Sequence, residues 1–157
     1  MTSADQDQND KSPSHSPARK LARRLIESRR SGHSDGESPA RAAATAADGL
    51  YRELSRWVGL DGCHALFSRS LAEARADFPA LAQIEIRARS QPHIDAVAET
   101  IMARGEPATA EALEFMLERL VELLGRLIGD DMATKLIERS LPASERSQGS
   151  ADSREEA

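Results

Sequence analysis

Cys63 and His64 are the two residues whose types most suggest chemistry. A thiol served by an imidazole is the pairing of nucleophile and base used in covalent catalysis. Here the two are consecutive, and consecutive residues on a helix point about 100° apart, so the base does not face the nucleophile. The reading that follows is a buried structural cysteine and a histidine in the first turn of a helix. Glu114, Glu118 and Glu122 recur every four residues and share one helix face. Such a row could serve as a carboxylate cluster, but evenly spaced charges opposite an apolar stripe read as a solvated face. His64 and His93 lack a histidine at i+4, His15 and His33 fall in a polar N-terminal stretch, and a lone histidine such as His93 reads as solvent-exposed. No glycine-rich phosphate loop or G-x-S-x-G elbow is present. The residues define no catalytic, cofactor-binding or metal-binding set.

Three partial likenesses lead to the same place. His64-Ala65-Leu66 resembles the phosphate-accepting site of histidine phosphotransfer domains, but those carry lysine and glycine soon after the histidine, where Phe67 and Ser68 stand here. The run 58–66 resembles a helix-hairpin-helix module, yet Asp61 replaces the second glycine that brings that backbone close to phosphate. Helix, glycine turn, helix also resembles a DNA-binding helix-turn-helix. Its second helices offer few basic groups, Arg69 in one and Lys135 and Arg139 in the other, so packing is the expected role.

A binding chemistry is more visible in residues 18–30. Arg19, Lys20, Arg23, Arg24, Arg29 and Arg30 surround Leu21, Leu25 and Ile26, which gives a basic face beside a narrow apolar stripe when the segment is helical. These six cations are candidate contacts for an anionic partner: nucleic acid, lipid head groups or an acidic protein. The rest of residues 1–40 is polar and reads as a disordered arm carrying that basic segment.

The elements that position these groups follow from an internal match. Residues 54–71 (LSRWVGLDGCHALFSRSL) align without a gap to 124–141 (LGRLIGDDMATKLIERSL), with eight of eighteen positions identical. Average residue usage would leave roughly one or two identities to chance. Each stretch reads as a helical hairpin. Gly59 or Gly129 ends one helix in the left-handed conformation, and Asp61 or Asp131 caps the next. Leu50, Tyr51, Leu54, Trp57 and Val58 form the first apolar stripe. A longer one runs from Leu113 through Leu127 and Ile128 and predicts a central helix. The two hairpins are expected to pack about a pseudo-twofold axis, with Arg56 reaching Asp131 and Arg126 reaching Asp61 as a cross-tie. Between them, Ile84, Ile86 and Ala88 alternate with charged residues, a short extended segment near 83–89. Pro92, Ile94, Val97 and Ile101 indicate a helix ending at Gly105.

The chain as a whole bounds these readings. Its 157 residues suit one domain, here a mostly all-α small bundle over 41–142, with a disordered polar tail at 143–157. With 3% aromatic residues the core must be aliphatic. Residues 41–142 carry 12 basic and 16 acidic groups, a balance unsuited to non-specific nucleic-acid binding by the folded part. One cysteine allows no intrachain disulfide, which suits the reducing cytoplasm. No run is apolar enough for a membrane span, and no secretion signal is evident. The expected function is a non-enzymatic helical regulatory or adaptor module that binds a protein partner or self-associates. The alternative is nucleic-acid association through 18–30.

Overall fold

A computed structural model describes residues 16–31, 37–89 and 93–141. In chain order these form α1 (Pro17–Ser31), α2 (Pro39–Asp77), a 3-10 turn (Pro79–Gln83), β1 (Glu85–Ile86), β2 (Ile94–Asp95), α3 (Val97–Arg104), α4 (Glu106–Ile128) and α5 (Asp130–Arg139). The described residues are all-α apart from one antiparallel pair, Glu85 opposite Asp95 and Ile86 opposite Ile94. Among the described residues no helix is long and apolar enough to cross a membrane.

Helix α2 is two helices in one run, because Gly59 leaves the helical conformation at φ 83°, ψ 164° and divides it into limbs 39–58 and 60–77. Gly129, between α4 and α5, has nearly the same torsions, φ 90° and ψ 149°. This region of backbone space, further extended than the left-handed helix expected from the sequence, is essentially restricted to glycine. The Gly129 N–H donates to Gly125 O at 2.9 Å and its carbonyl accepts from Ala133 N at 3.0 Å, so one residue closes a helix and opens the next. That overturns the capping role expected of Asp131. The glycine itself is the cap, and Asp130 and Asp131 sit in the first turn of α5, near the positive end of its dipole. Nor does Asp61 make a capping hydrogen bond among the described residues.

Ser38 caps α2, its hydroxyl accepting from Arg41 N at 3.3 Å, and Pro39 occupies the first turn. The following alanines, Ala40, Ala42, Ala43, Ala46 and Ala47, are almost completely buried, and so small a face lets a second helix approach closely. That helix is α4, which forms with α2 the most extensive interface in the molecule. The two starts are tied where Ala40 N–H donates to the Glu106 carboxylate at 2.6 Å. Beyond Gly59 the second limb of α2 folds back on the first: Cys63 Sγ–H donates to Tyr51 O at 3.3 Å, and the Phe67 ring lies 4.9 Å from that of Tyr51. Leu50, Leu54, Leu113, Leu117, Leu120 and Leu124 complete an aliphatic core.

Residues 17–31, expected within a flexible arm, form α1 and are part of that core. Ala18, Ala22, Leu25 and Ile26 fall at i, i+4, i+7 and i+8, and all four are buried. The apolar stripe at this spacing outweighs the charge of the segment once α4 supplies a matching face. The rest of the expected arm (1–15 and 32–36) and the tail (143–157) lie outside the described residues.

The extended segment expected near 83–89 narrows to β1, preceded by the 3-10 turn. Ile94, assigned from sequence to a helix, pairs with Ile86 instead, and α3 begins at Val97. Strand pairing wins because Arg75 of α2 donates to the carbonyls of Leu81 (3.0 Å) and Ile84, while Arg87 and Asp95 pair at 2.7 Å across the hairpin.

If α1 is integral, Leu25→Ala should destabilise the protein by about 2–4 kcal/mol. Urea denaturation followed by circular dichroism measures this; a midpoint equal to that of the parent would mean that α1 is not packed.

Candidate functional site

Of the six cations of residues 18–30, Arg19, Arg23 and Arg24 meet carboxylates of their own chain. Arg23 Nε donates to Glu114 at 2.6 Å and Arg19 Nε lies 3.5 Å from the same carboxylate. Arg24 reaches Glu138 of α5 at 3.5 Å, and Arg29 donates to the carbonyl of Ser140 at 3.3 Å. Lys20 and Arg30 remain exposed. The acidic row on α4 is therefore not the solvated face expected of it. Helix α1 lies over it, and Glu118 is only 7% exposed. Burial raises the pKa of Glu118, Glu122 and Glu114 raise it further, and Arg19 and Arg119 oppose them.

A second polar group lies between the limbs of α2 and the β-hairpin. Tyr51 Oη and His64 Nδ1 are 3.4 Å apart, and the Tyr51 ring stacks on His93 at 4.2 Å. His93 is 7% exposed, which corrects its expected position in solvent. Its backbone N–H donates to Asp48 at 2.8 Å, and its Nδ1 lies 2.7 Å from Arg87 O, a carbonyl that can only accept, so Nδ1 carries the proton. Cys63 is fully buried and burial pushes its thiol up to about 12. Burial also raises Tyr51, with Cys63 and Asp61 adding to it. A thiol held protonated is no nucleophile at neutral pH, and this cluster joins α2 to the hairpin as structure. Among the described residues no group of three or more histidine, cysteine, aspartate or glutamate side chains is placed to hold a metal ion.

At the seventy-residue offset, Tyr51, Cys63 and His64 correspond to Val121, Ala133 and Thr134. Where the first hairpin is filled by phenol, thiol and imidazole, the second leaves an open cleft of about 480 Å³, floored by Ala18, Leu21 and Val121 and edged by Arg126, Asp130 and Thr134.

The expected cross-tie is not formed. Arg56 is 78% exposed and lies 4.0 Å from Glu53 on its own helix, and among the described residues no ion pair joins Arg56 to Asp131 or Arg126 to Asp61. All four charges instead stand at the exposed ends of the hairpins. Between them lies a group of apolar side chains that sequence periodicity placed in the core or left unassigned. Trp57 is 54% exposed, Leu127 66%, and Val58, Leu60, Ile128 and Met132 are exposed with them. Met102 is the one other large hydrophobic residue exposed among the described residues. Met132 belongs to the outer face of α5, where Lys135 and Arg139 follow it at i+3 and i+7. The Arg139 guanidinium covers the Trp57 ring at 4.8 Å, which joins the far end of that face to the first turn. The available sequence signal was position: each residue lies within three of Gly59 or Gly129, where a helix runs out and its stripe outlasts the neighbour that would cover it.

No protein-family model, curated protein or solved structure matches this chain.

Cys63 should resist iodoacetamide at pH 8 in the native protein and react once it is unfolded; rapid native labelling would contradict its burial. Because its folded pKa is raised, the stabilising effect of the neutral thiol should be complete below the ordinary thiol range and be lost as pH rises toward about 12. Glu118 has the same sign of shift, so its ionised form is disfavoured in the folded state at neutral pH. Glu118→Gln should match or exceed the parent's melting temperature at pH 7, and the gap should close as pH falls below the ordinary glutamate range. A variant that melts well below the parent at pH 7 would show that the arginine contacts dominate instead.

Proposed function

We propose that this protein is a non-enzymatic helical interaction module, regulatory or adaptor in kind, which engages a protein partner through the face made by its two glycine turns and the outer side of α5. The observation that carries this reading is the placement of Trp57, Val58, Leu60, Leu127, Ile128 and Met132. Six of the seven large hydrophobic residues exposed among the described residues lie within three positions of Gly59 or Gly129, and Arg139 of α5 reaches over Trp57 at the first of these turns. Scattered exposed apolar residues are ordinary, whereas a contiguous group rimmed by charge is the pattern of a binding surface. Trp57 supplies the kind of aromatic anchor that dominates interface energetics, and Arg139 holds its ring in place. The buried, protonated Cys63 and the packed His93 leave the polar core without the exposed, convergent groups that a reaction needs.

Nucleic-acid association through residues 18–30 has less support. Arg19, Arg23, Arg24 and Arg29 already contact groups of α4, α5 and the residue after α5, so phosphate would have to displace those contacts.

Affinity capture from native lysate with the full chain tests the reading. Proteins retained by the parent should be lost with Trp57→Ser/Leu127→Ser, while Met102→Ser retains them and all three melt within a few degrees of one another. Equal capture by the parent and the double variant would reject the surface.

A further inference from the structure

We infer that the occupant of this face is a second copy of the same chain, docked face to face about a twofold axis; this rests on the reading of the face as a protein-binding surface. Two features favour a second copy over an unlike partner.

The first is charge. Arg56, Arg126, Lys135 and Arg139 accompany the apolar residues together with Asp61, Asp130 and Asp131, four cations against three anions, so the face carries both signs within a chain of net charge −5. Among the described residues none of Arg126, Lys135, Asp61, Asp130 or Asp131 makes an ion pair, and Arg56 makes only its long contact with Glu53. A strongly acidic or strongly basic partner would meet like charges as often as opposite ones. A twofold pairing that sets each cation of one copy against an anion of the other avoids that conflict, and every such contact is then made twice. Arg56 and Arg126 of one copy then stand against Asp61 and Asp131 of the other. The cross-tie that the matched stretches suggest within one chain is satisfied between two.

The second feature is area. From their fractional exposures and ordinary side-chain areas, the six apolar residues present roughly 600 Å². A stable interface buries about 800 Å² on each partner, a figure reached when the stems of Arg56, Arg126 and Lys135 are covered as well. Along α5 the second turn is linked to Trp57 by Met132 and the alkyl stems of Lys135 and Arg139, the last of which lies over the Trp57 ring.

Sedimentation velocity of the full chain over a range of concentrations tests this. The parent should approach twice its 17.1 kDa mass as concentration rises. Trp57→Ser/Leu127→Ser should remain at the single-chain mass. Arg56→Asp/Arg126→Asp and Asp61→Arg/Asp131→Arg should each associate about tenfold more weakly than the parent, and an equimolar mixture of the two should regain the doubled mass. These positions are exposed, and an unchanged melting temperature in each variant shows that the fold is intact. A parent that is monomeric throughout, a doubled mass that survives the apolar substitutions, or a mixture that stays monomeric would each overturn the inference. A monomeric parent whose lysate capture still depends on Trp57 would leave the interaction surface standing with an unlike partner. A monomeric parent that instead co-floats with phosphatidylcholine vesicles would assign the face to lipid. Loss of both self-association and face-dependent capture would remove both readings.

Discussion

Helix α4 has to be enclosed on almost every side, and the rest of the fold is the means of enclosing it. Its apolar stripe, from Leu113 to Leu124, is too wide for one neighbour to cover. The alanine face of α2 takes one side of it closely. Helices α3 and α5 and the 3-10 turn take others, and α1 closes the flank that carries Glu114 and Glu118. A charged flank is an unusual thing to cover, because burying carboxylate costs more than burying methylene. Helix α1 does so by combining Ala18, Ala22, Leu25 and Ile26 with a row of arginines, so that the apolar stripe drives docking and the ion pairs lower the cost of covering acid. The pairs themselves are partly exposed and each is worth little. Burial of the alkyl groups beneath them holds the helix.

Enclosure stops at one end. At Gly59 and at Gly129 the chain turns on a single residue, and turns this tight leave the last apolar residues of each long helix exposed, with Trp57 beneath the Arg139 guanidinium. In the remainder of the fold the same geometry is used for packing. The fold-back after Gly59 brings Cys63 and Phe67 onto Tyr51, and the fold-back after Gly129 brings Ala133, Leu136 and Ile137 onto the core. One backbone device therefore produces both the buried interior and the exposed end. The exposed apolar group is a consequence of how the hairpins close.

The two hairpins differ most inside. Tyr51, Cys63 and His64 fill the first and connect through His93 and Asp48 to the β-hairpin, whereas Val121, Ala133 and Thr134 leave the second open beside the start of α1. The first is thus committed to holding β1 and β2 in place. The second is left to accommodate α1.

The helical class, the two glycine turns, the central position of α4 and the burial of Cys63 are all legible in the residue order, because helix periodicity and the conformational freedom of glycine act locally. The doubled stretch also marked which positions to compare. What residue order could not decide was the neighbour each face would meet. A basic amphipathic stripe reads the same whether it waits for nucleic acid or lies on a row of glutamates ninety residues away. Trp57, Val58, Leu127 and Ile128 have the spacing of core residues, and only the place where the opposing helix ends leaves them in solvent. Arg56, Asp61, Arg126 and Asp131 carry the right charges for a tie, and only the tertiary packing keeps them apart within one chain. Local periodicity determines which side chains share a face; the packing of elements distant in sequence decides whether that face is core, internal dock or open surface.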